Sequence, residues 1–88
     1  YARLNKEDLV FPLHIRTRKV GDKMYVKGMN KQKKVKDIFI NSKIPLSKRD
    51  IWPIVVDSKD KVVWIPGIKK SKFDIPKNKK CDIILRYY

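Results

Sequence analysis

The sequence is poor in the residues that build catalytic and metal sites. Among its 88 residues it has one histidine, His14, one cysteine, Cys81, and three scattered glycines. A single cysteine excludes an internal disulfide and a zinc site built on cysteine pairs. Scattered glycines exclude a phosphate-cradling loop, and any Ser-His or Cys-His pair would depend on His14 alone. We therefore expect a domain with no active site, cofactor or metal of its own.

Acidic residues are also few, with 9 Asp plus Glu against 23 Lys plus Arg and a net charge of +14. Solubility requires only about 2–8 net charges, so this excess predicts a polyanionic partner. Nucleic acid and an acidic protein both qualify. A membrane is disfavoured, because no basic amphipathic helix with large exposed apolar residues is predicted. No apolar run approaches the roughly 18–20 residues of a membrane span.

The length allows one small domain with a thin core, burying about 60–65% of the unfolded surface. The chain starts at Tyr1 rather than at Met, so we expect it to be part of a longer protein. Residues 1–8 are polar and are interpreted as a loose linker remnant, with the domain spanning residues 9–88. The lone thiol and the lack of a visible signal peptide favour a cytoplasmic location.

The pattern of apolar residues predicts a mixed α+β domain. Residues 9–18 alternate with period two, as in a half-buried strand in which Ile15 and Thr17 face the core. Gly21 and Asp22 mark a turn before a short strand at residues 24–26. Two further strands, residues 53–57 and 61–66, are expected to form a hairpin, and residues 81–88 a last strand after a basic connector at 68–80.

Residues 31–44 change period and predict the main helix. Val35, Ile38, Phe39 and Ser42 share one helical face. Asn30 is a plausible N-cap, and Pro45 ends the helix because the residue before a proline avoids the α region. Residues 47–50 are expected to add a single short turn.

Alternation places Arg16 and Arg18 on one strand face, roughly 6.5–7 Å apart. The planar guanidinium donates two hydrogen bonds at once, which suits phosphate. Two interpretations remain open at this point. The arginines either bind a polyanion or pair with Asp22 or Asp50 to hold the turn, and one arginine can serve both purposes.

Lysines also cluster at the start of the predicted helix, where they oppose the helix dipole at a cost of about 0.3–1 kcal/mol each. Contact with phosphate would explain why they are kept, although a solvated helix face is the alternative. Trp52 and Trp64 either stack on unpaired bases or fill the core. Apolar neighbours favour the core for both, as they do for Tyr25, Phe39, Tyr87 and Tyr88.

Four segments, RTRKVGDKM, KKVKDIFINSKIP, KRDIWPIVVD and VVWIPGIKKS, occur in an order and spacing that resemble the C-terminal domain of bacterial tRNA(Ile)-lysidine synthetases. The family motif positions are Arg16, Arg18, Gly21, Asp22, Lys33, Lys36, Asp37, Phe39, Lys43, Ile44, Pro45, Arg49, Asp50, Trp52, Pro53, Trp64, Pro66 and Gly67. The resemblance spans about residues 11–72. It implies a small β-sandwich-like α+β fold with one main helix, related to a domain of phenylalanyl-tRNA synthetase.

The resemblance also implies a function. Enzymes of this family use ATP, with Mg²⁺, to ligate lysine to the wobble cytidine of the AUA-reading isoleucine tRNA. Their chemistry is located in an N-terminal catalytic domain of the same chain. The C-terminal domain engages the acceptor-stem region, and the family includes dimers, so a homodimer is a further expectation. An acceptor stem is an A-form duplex, which proteins recognise mainly through phosphates, 2′-hydroxyls and shape.

The motifs and the charge pattern together predict two groups of residues. The residues expected to contact RNA are Arg16, Arg18, Lys23, Lys31, Lys33, Lys34, Lys36, Lys43, Lys48, Arg49, Lys69 and Lys70. The residues expected to be structural are Gly21, Asp22, Trp52, Trp64, Pro66 and Gly67. Two rival functions remain, a general module for structured RNA and a packing or dimerisation domain whose lysines are only solvated.

Overall fold

A computed structural model describes residues 1–28, 31–76 and 78–86. The helices are α1 Val35–Asn41 and α2 Leu46–Arg49, with a 3₁₀ turn at Lys6–Asp8. The strands are β1 Ala2–Leu4, β2 His14–Arg16, β3 Lys23–Tyr25, β4 Gln32–Lys34, β5 Ile54–Val56, β6 Val62–Ile65, β7 Lys69–Lys70 and β8 Ile83–Leu85. None of the helices in these ranges is long and apolar enough to cross a membrane.

A four-stranded antiparallel sheet in the order β2-β5-β6-β7 forms the centre of the domain. Its two middle strands are buried along their whole length, as expected for the uninterrupted apolar runs IVV and VVWI. The predicted hairpin of β5 and β6 is confirmed. The Asp57 carboxylate closes its turn by accepting the amide hydrogens of Lys59 (3.0 Å) and Lys61 (2.9 Å).

Each face of the central sheet is covered by a second layer. On one face, α1 and the β3–β4 ribbon contribute Met24, Val35, Ile38 and Phe39 to a core shared with the sheet. On the other face, the antiparallel pair β1–β8 covers the sheet. This arrangement of short strands in several sheets with one main helix confirms the predicted α+β fold.

The N-terminal residues are not a loose linker remnant. Ala2–Leu4 form β1, which pairs with β8, and the side chains of Ala2 and Leu4 are buried. Alternation explains this, because it turns both apolar residues to the same side of the strand. Residues 1–8 contain enough apolar surface to add a strand once a partner strand is present.

The main helix is shorter than predicted, and its expected first turn is a strand. Gln32–Lys34 pair with β3, and the helix begins only at Val35. The run KQKK has no apolar residue at helical spacing, so nothing in it packs against the core. The chain leaves the helix through Lys43 at φ 57°, just before Pro45. The predicted N-cap, Asn30, lies outside the described residues.

The predicted orientation of β2 is wrong at Ile15, whose side chain is 74% exposed. Leu13 and not Ile15 packs against the core. Thr17 is exposed as well. The reason is that β2 is an edge strand: the layer that buries the neighbouring Val55 does not extend over Ile15 among the described residues.

The C-terminal part of the chain follows the prediction more closely. Ile83–Leu85 form the predicted last strand, while the basic connector contains the short strand β7 and a bridge from Ser71 to Val26. The expected short turn at residues 47–50 corresponds to α2. Tyr87 and Tyr88, which were interpreted as core residues, lie outside the described residues.

Candidate nucleic-acid interface

The turn between β2 and β3 is held by its own side chains. The Asp22 amide donates to the Lys19 carbonyl (3.1 Å), and Gly21 adopts φ +87°, which favours glycine. The Arg16 guanidinium donates two parallel hydrogen bonds to the Asp22 carboxylate, each 2.9 Å long. That carboxylate also accepts the Lys19 amide hydrogen (2.6 Å). The turn is therefore a rigid platform rather than a flexible loop.

Arg16 and Asp22 form the best-shielded ion pair of this turn, with side chains 16% and 11% exposed. Burial by itself would raise the pKa of Asp22. The hydrogen bonds from Arg16 and from the Lys19 amide outweigh it and hold the pKa of Asp22 below its usual range. The same contact raises the pKa of Arg16 above its ordinary value. Both groups are charged at neutral pH.

Arg18 is engaged more loosely. Its guanidinium lies 3.0 Å from the Asp50 carboxylate and 5.7 Å from the centre of the Phe39 ring. The Asp50 side chain is 75% exposed and that of Arg18 is 19% exposed, so solvent screens this pair from the Asp50 side and weakens it. Arg18 can therefore exchange Asp50 for another anion at low cost, whereas Arg16 cannot release Asp22 so easily.

A groove opens between this turn and the start of α1, and we call it the turn groove. The Val35 amide donates to the Asp22 carbonyl (2.9 Å), which fixes the helix start against the turn. The volume of the turn groove is about 470 Å³. Its charged lining residues are Arg18, Lys19, Asp22, Lys34, Lys36 and Asp50. The structure thus brings together three of the motif segments on which the sequence prediction relied.

The β3–β4 ribbon places like charges opposite each other. Lys23 stands directly across from Lys34 in the antiparallel register, an arrangement that destabilises a sheet. Lys34 also occupies the N-cap of α1 without making a side-chain cap hydrogen bond. Ser, Thr, Asp or Asn at this position would be worth about 1 kcal/mol. Neither feature stabilises the fold; Lys34 lines the turn groove, and Lys23 follows Asp22, another of its lining residues.

The remaining predicted RNA contacts do not all lie at this groove. Lys69 and Lys70 lie on the edge strand β7 and line other concave surfaces. Arg49 donates from Nε to the Ile44 carbonyl (2.8 Å) and ties the α1–α2 connection together. Lys43 and Lys48 are exposed on that same connection and on α2.

The predicted lysines share one property. Within residues 1–28, 31–76 and 78–86, none of them forms an ion pair, in contrast to Arg16 and Arg18. These lysines are Lys23, Lys31, Lys33, Lys34, Lys36, Lys43, Lys48, Lys69 and Lys70. Lys33 is half-buried and the others are exposed, so nearly all of this charge faces solvent.

Trp64 is buried in the domain, and Trp52 is half-buried against it. Trp64 is 5% exposed and packs with Ala2 and Val55. The indole N–H of Trp52 donates to the Pro66 carbonyl (2.9 Å), and its ring packs against the main core. Gly67 follows at φ +77°, beside that ring. Neither indole offers an open platform for stacking bases.

Some residues of the basic surface were missed by the sequence analysis. Lys19 and Val20 lie at the tip of the turn and line the turn groove. The sequence did contain a signal for them, because they lie between Arg18 and Gly21, two of the motif positions. Arg3 and Arg86 are far apart in sequence, and only the β1–β8 pairing brings them to one side of the molecule.

Fold and site together define a small, strongly basic α+β domain with a cationic groove. In the part of the chain that the structure describes, no group of His, Cys, Asp and Glu is arranged to hold a metal ion. The model of the family described as "TilS substrate C-terminal domain" matches residues 13–85. The chain belongs to this family, and it is a C-terminal domain of the kind found in tRNA(Ile)-lysidine synthases.

Individual relatives agree. The chain is 56% identical over 80 residues to the tRNA(Ile)-lysidine synthase of Bacillus subtilis strain 168, covering 88% of this chain and 16% of that protein. It is 45% identical over 86 residues to the bifunctional protein TilS/HprT of Listeria innocua, covering 96% of this chain and 13% of that protein. The chain thus spans about one sixth or less of the length of these relatives.

A solved structure shows the same fold. The crystal structure of a TilS C-terminal domain superimposes with a TM-score of 0.80 at 41% sequence identity. The match covers 91% of this chain and 62% of that one.

Proposed function

We propose that this domain binds tRNA for a tRNA(Ile)-lysidine synthase and holds it through backbone contacts at the acceptor-stem region. The observation that carries the proposal is the turn groove, where Arg18 from the β2–β3 turn, Lys34 from β4 and Lys36 from α1 line one concave surface. A-form RNA is recognised through its phosphates and its shape, for which rigidly mounted cations are suited.

The electrostatics of the groove supports a polyanionic ligand. Lys34 and Lys36 have no carboxylate partner among the described residues, and Arg18 has only the solvent-exposed Asp50. Lys23 stands opposite Lys34 although this pairing costs stability. A row of phosphates would neutralise these charges and repay the cost, because each neutralised phosphate releases condensed counterions.

The parent activity is part of the same proposal. The synthase would ligate lysine to the wobble cytidine of the AUA-reading isoleucine tRNA in the cytoplasm, using ATP and Mg²⁺ bound by an N-terminal catalytic domain. This domain would contribute by orientation, since holding the substrate at a distant point lowers the entropic cost of the reaction at the anticodon.

A fluorescence-anisotropy titration at several salt concentrations tests the proposal. The ligands are the AUA-reading isoleucine tRNA and the methionine tRNA as competitor. We expect a steep salt dependence, with a slope corresponding to several phosphates. A double variant, Lys34→Gln with Lys36→Gln, is compared with Lys6→Gln with Lys59→Gln, which removes the same charge at exposed positions outside the turn groove.

The outcomes separate the candidate functions. Preference for the isoleucine tRNA supports a domain that contributes to tRNA selection. Equal affinity for both tRNAs and for unrelated structured RNAs supports the general RNA-binding module. Negligible affinity, with self-association in sedimentation, favours the packing or dimerisation domain and overturns the proposal.

A further inference from the structure

A second cationic groove lies elsewhere on the domain, between β1, β8 and the end of β7. We call it the β1–β7 groove. Four cationic residues line it, Arg3, Lys27, Lys70 and Arg86, together with one carboxylate, Asp74. It shares none of its lining residues with the turn groove, and its volume is about 640 Å³. Pockets for small ligands fall in this size range.

The one carboxylate in this groove is already neutralised. Asp74 is 6% exposed, pairs with the Lys27 ammonium and accepts the Arg3 amide hydrogen (3.0 Å). Burial would raise the pKa of Asp74, but these hydrogen bonds and the nearby charge of Lys70 outweigh it and keep that pKa below its usual range. Asp74 therefore cancels Lys27 and leaves the other three cations of the groove without a carboxylate among the described residues.

Arg3, which lines this groove, also has one donor that no described residue satisfies. Its Nε is buried and has no hydrogen-bond partner among the described residues, although one terminal nitrogen donates to the Lys79 carbonyl (3.0 Å). A buried donor without a partner is unfavourable, because it has lost its hydrogen bonds to water. It is the one side-chain polar atom of this kind in residues 1–28, 31–76 and 78–86.

The walls of the β1–β7 groove are apolar as well as cationic. Ile75, Pro76 and the exposed Ile84 line it, and the Arg86 guanidinium lies 5.0 Å from the centre of the Tyr1 ring. A flat apolar group carrying a negative charge fits this combination. A nucleotide has both parts, a base with an apolar face and a phosphate, whereas a duplex presents only its charged backbone to such a groove.

The β3–β4 ribbon connects the two grooves. Lys23 begins β3 beside the turn groove, and Lys27 lines the β1–β7 groove four residues later. At the rise of an extended chain these positions are about 13 Å apart. Lys23 follows Asp22, a lining residue of the turn groove, so an RNA that occupies both grooves needs an unpaired extension long enough to span at least this separation.

We propose that the β1–β7 groove binds an unpaired nucleotide of the same RNA whose duplex occupies the turn groove. This inference rests on the function proposed above and extends it by a second subsite. The phosphate would contact the exposed Lys70 and Arg86, and the base would pack on the apolar wall.

The test compares a blunt RNA hairpin with the same hairpin carrying a four-nucleotide 3′ single-stranded extension. We expect the extended RNA to bind about 5- to 20-fold more tightly, from stacking of one base and the added phosphate contacts. The variant Lys70→Gln with Arg86→Gln should lose this preference. The matched control, Lys6→Gln with Lys59→Gln, removes the same charge and should keep it. AMP, added alone and as competitor, distinguishes a free nucleotide from an RNA segment.

The outcomes are distinguishable. Equal binding of both RNAs by the wild-type chain overturns the second subsite and leaves the turn groove proposal intact. A preference that persists in Lys70→Gln with Arg86→Gln also overturns it. The wild-type chain could also bind AMP, and lose this binding in Lys70→Gln with Arg86→Gln, while showing no preference for the extended RNA. That result would show that the groove binds a free nucleotide and not an RNA segment. No binding of either RNA overturns the proposed function itself.

Discussion

Arg16 and Lys34 lie close to the same groove, yet the protein treats their charges in opposite ways. Arg16 is enclosed, doubly hydrogen-bonded to Asp22 and also 3.3 Å from Asp60. Lys34 is exposed, has no acidic partner among the described residues and stands opposite another lysine. Two cations close together can therefore have different roles, and their surroundings separate charge that maintains the fold from charge that is available to a ligand.

The difference is energetic. The Arg16–Asp22 pair stabilises the turn, because each partner would otherwise keep an unpaired charge in a shielded place. Lys34 lowers stability through its repulsion of Lys23, and because it occupies the N-cap of α1 without a side chain that can accept a hydrogen bond there. A site where local rules are broken without a structural gain is where a functional reason is expected.

The largest expected effect is on stability and comes from substituting the enclosed Arg16. Arg16→Ala should lower the free energy of unfolding by about 2–3 kcal/mol, because Asp22 loses both guanidinium hydrogen bonds. Urea unfolding measures this. Lys19→Ala is the control, since its pair with Asp60 is exposed on both sides and should be worth less than about 0.5 kcal/mol. Equal, small losses for both variants would show that Arg16 is not needed by the fold.

Lowering the pH should weaken the Arg16–Asp22 ion pair gradually. Because the pKa of Asp22 is lowered in the folded state, the unfolded chain binds more protons as the pH falls below about 4. The stabilisation from Asp22 is thus complete above that pH and is lost as the pH falls through the folded pKa. Between pH 7 and 2, the free energy of unfolding should decrease less with falling pH in Asp22→Asn than in the wild type. Parallel curves would contradict the assignment.

Substituting the exposed lysines of the turn groove should weaken tRNA binding without lowering stability. Lys34→Gln with Lys36→Gln should reduce tRNA affinity about tenfold at moderate salt and lower the salt slope by about 1.5. The thermal unfolding temperature should not fall, because neither lysine makes an ion pair in the described residues. Loss of affinity no larger than in Lys6→Gln with Lys59→Gln would move the binding site away from the turn groove.

The smallest effect has an unusual sign. Lys34→Ser should stabilise the domain by about 1 kcal/mol, since it supplies an N-cap hydroxyl and removes the repulsion of Lys23. The same variant should bind tRNA more weakly. Denaturant unfolding and anisotropy on one preparation measure both quantities. A destabilised variant would show that Lys34 supports the fold after all.

Parts of the fold were predictable because their signals are local. The β5–β6 hairpin follows from two apolar runs around turn residues, and Pro45 predicts a break between α1 and α2, although α1 ends already at Asn41. Ile15 was misjudged because local periodicity does not reveal which strand lies at a sheet edge, and Gln32–Lys34 because their strand depends on pairing with β3. Edge positions are set by pairing partners distant in the sequence.

The sequence by itself determined the charge, the α+β composition and the four motifs that identify the family, since these are properties of residue order alone. Only the tertiary structure decided which cations are enclosed and which are free. It joined the β2–β3 turn to the start of α1, and it brought Arg3 beside Arg86 through strands separated by nearly the whole chain. The physical reason is that a charge acquires its role from its burial and its partners, and both are created by contacts between distant segments.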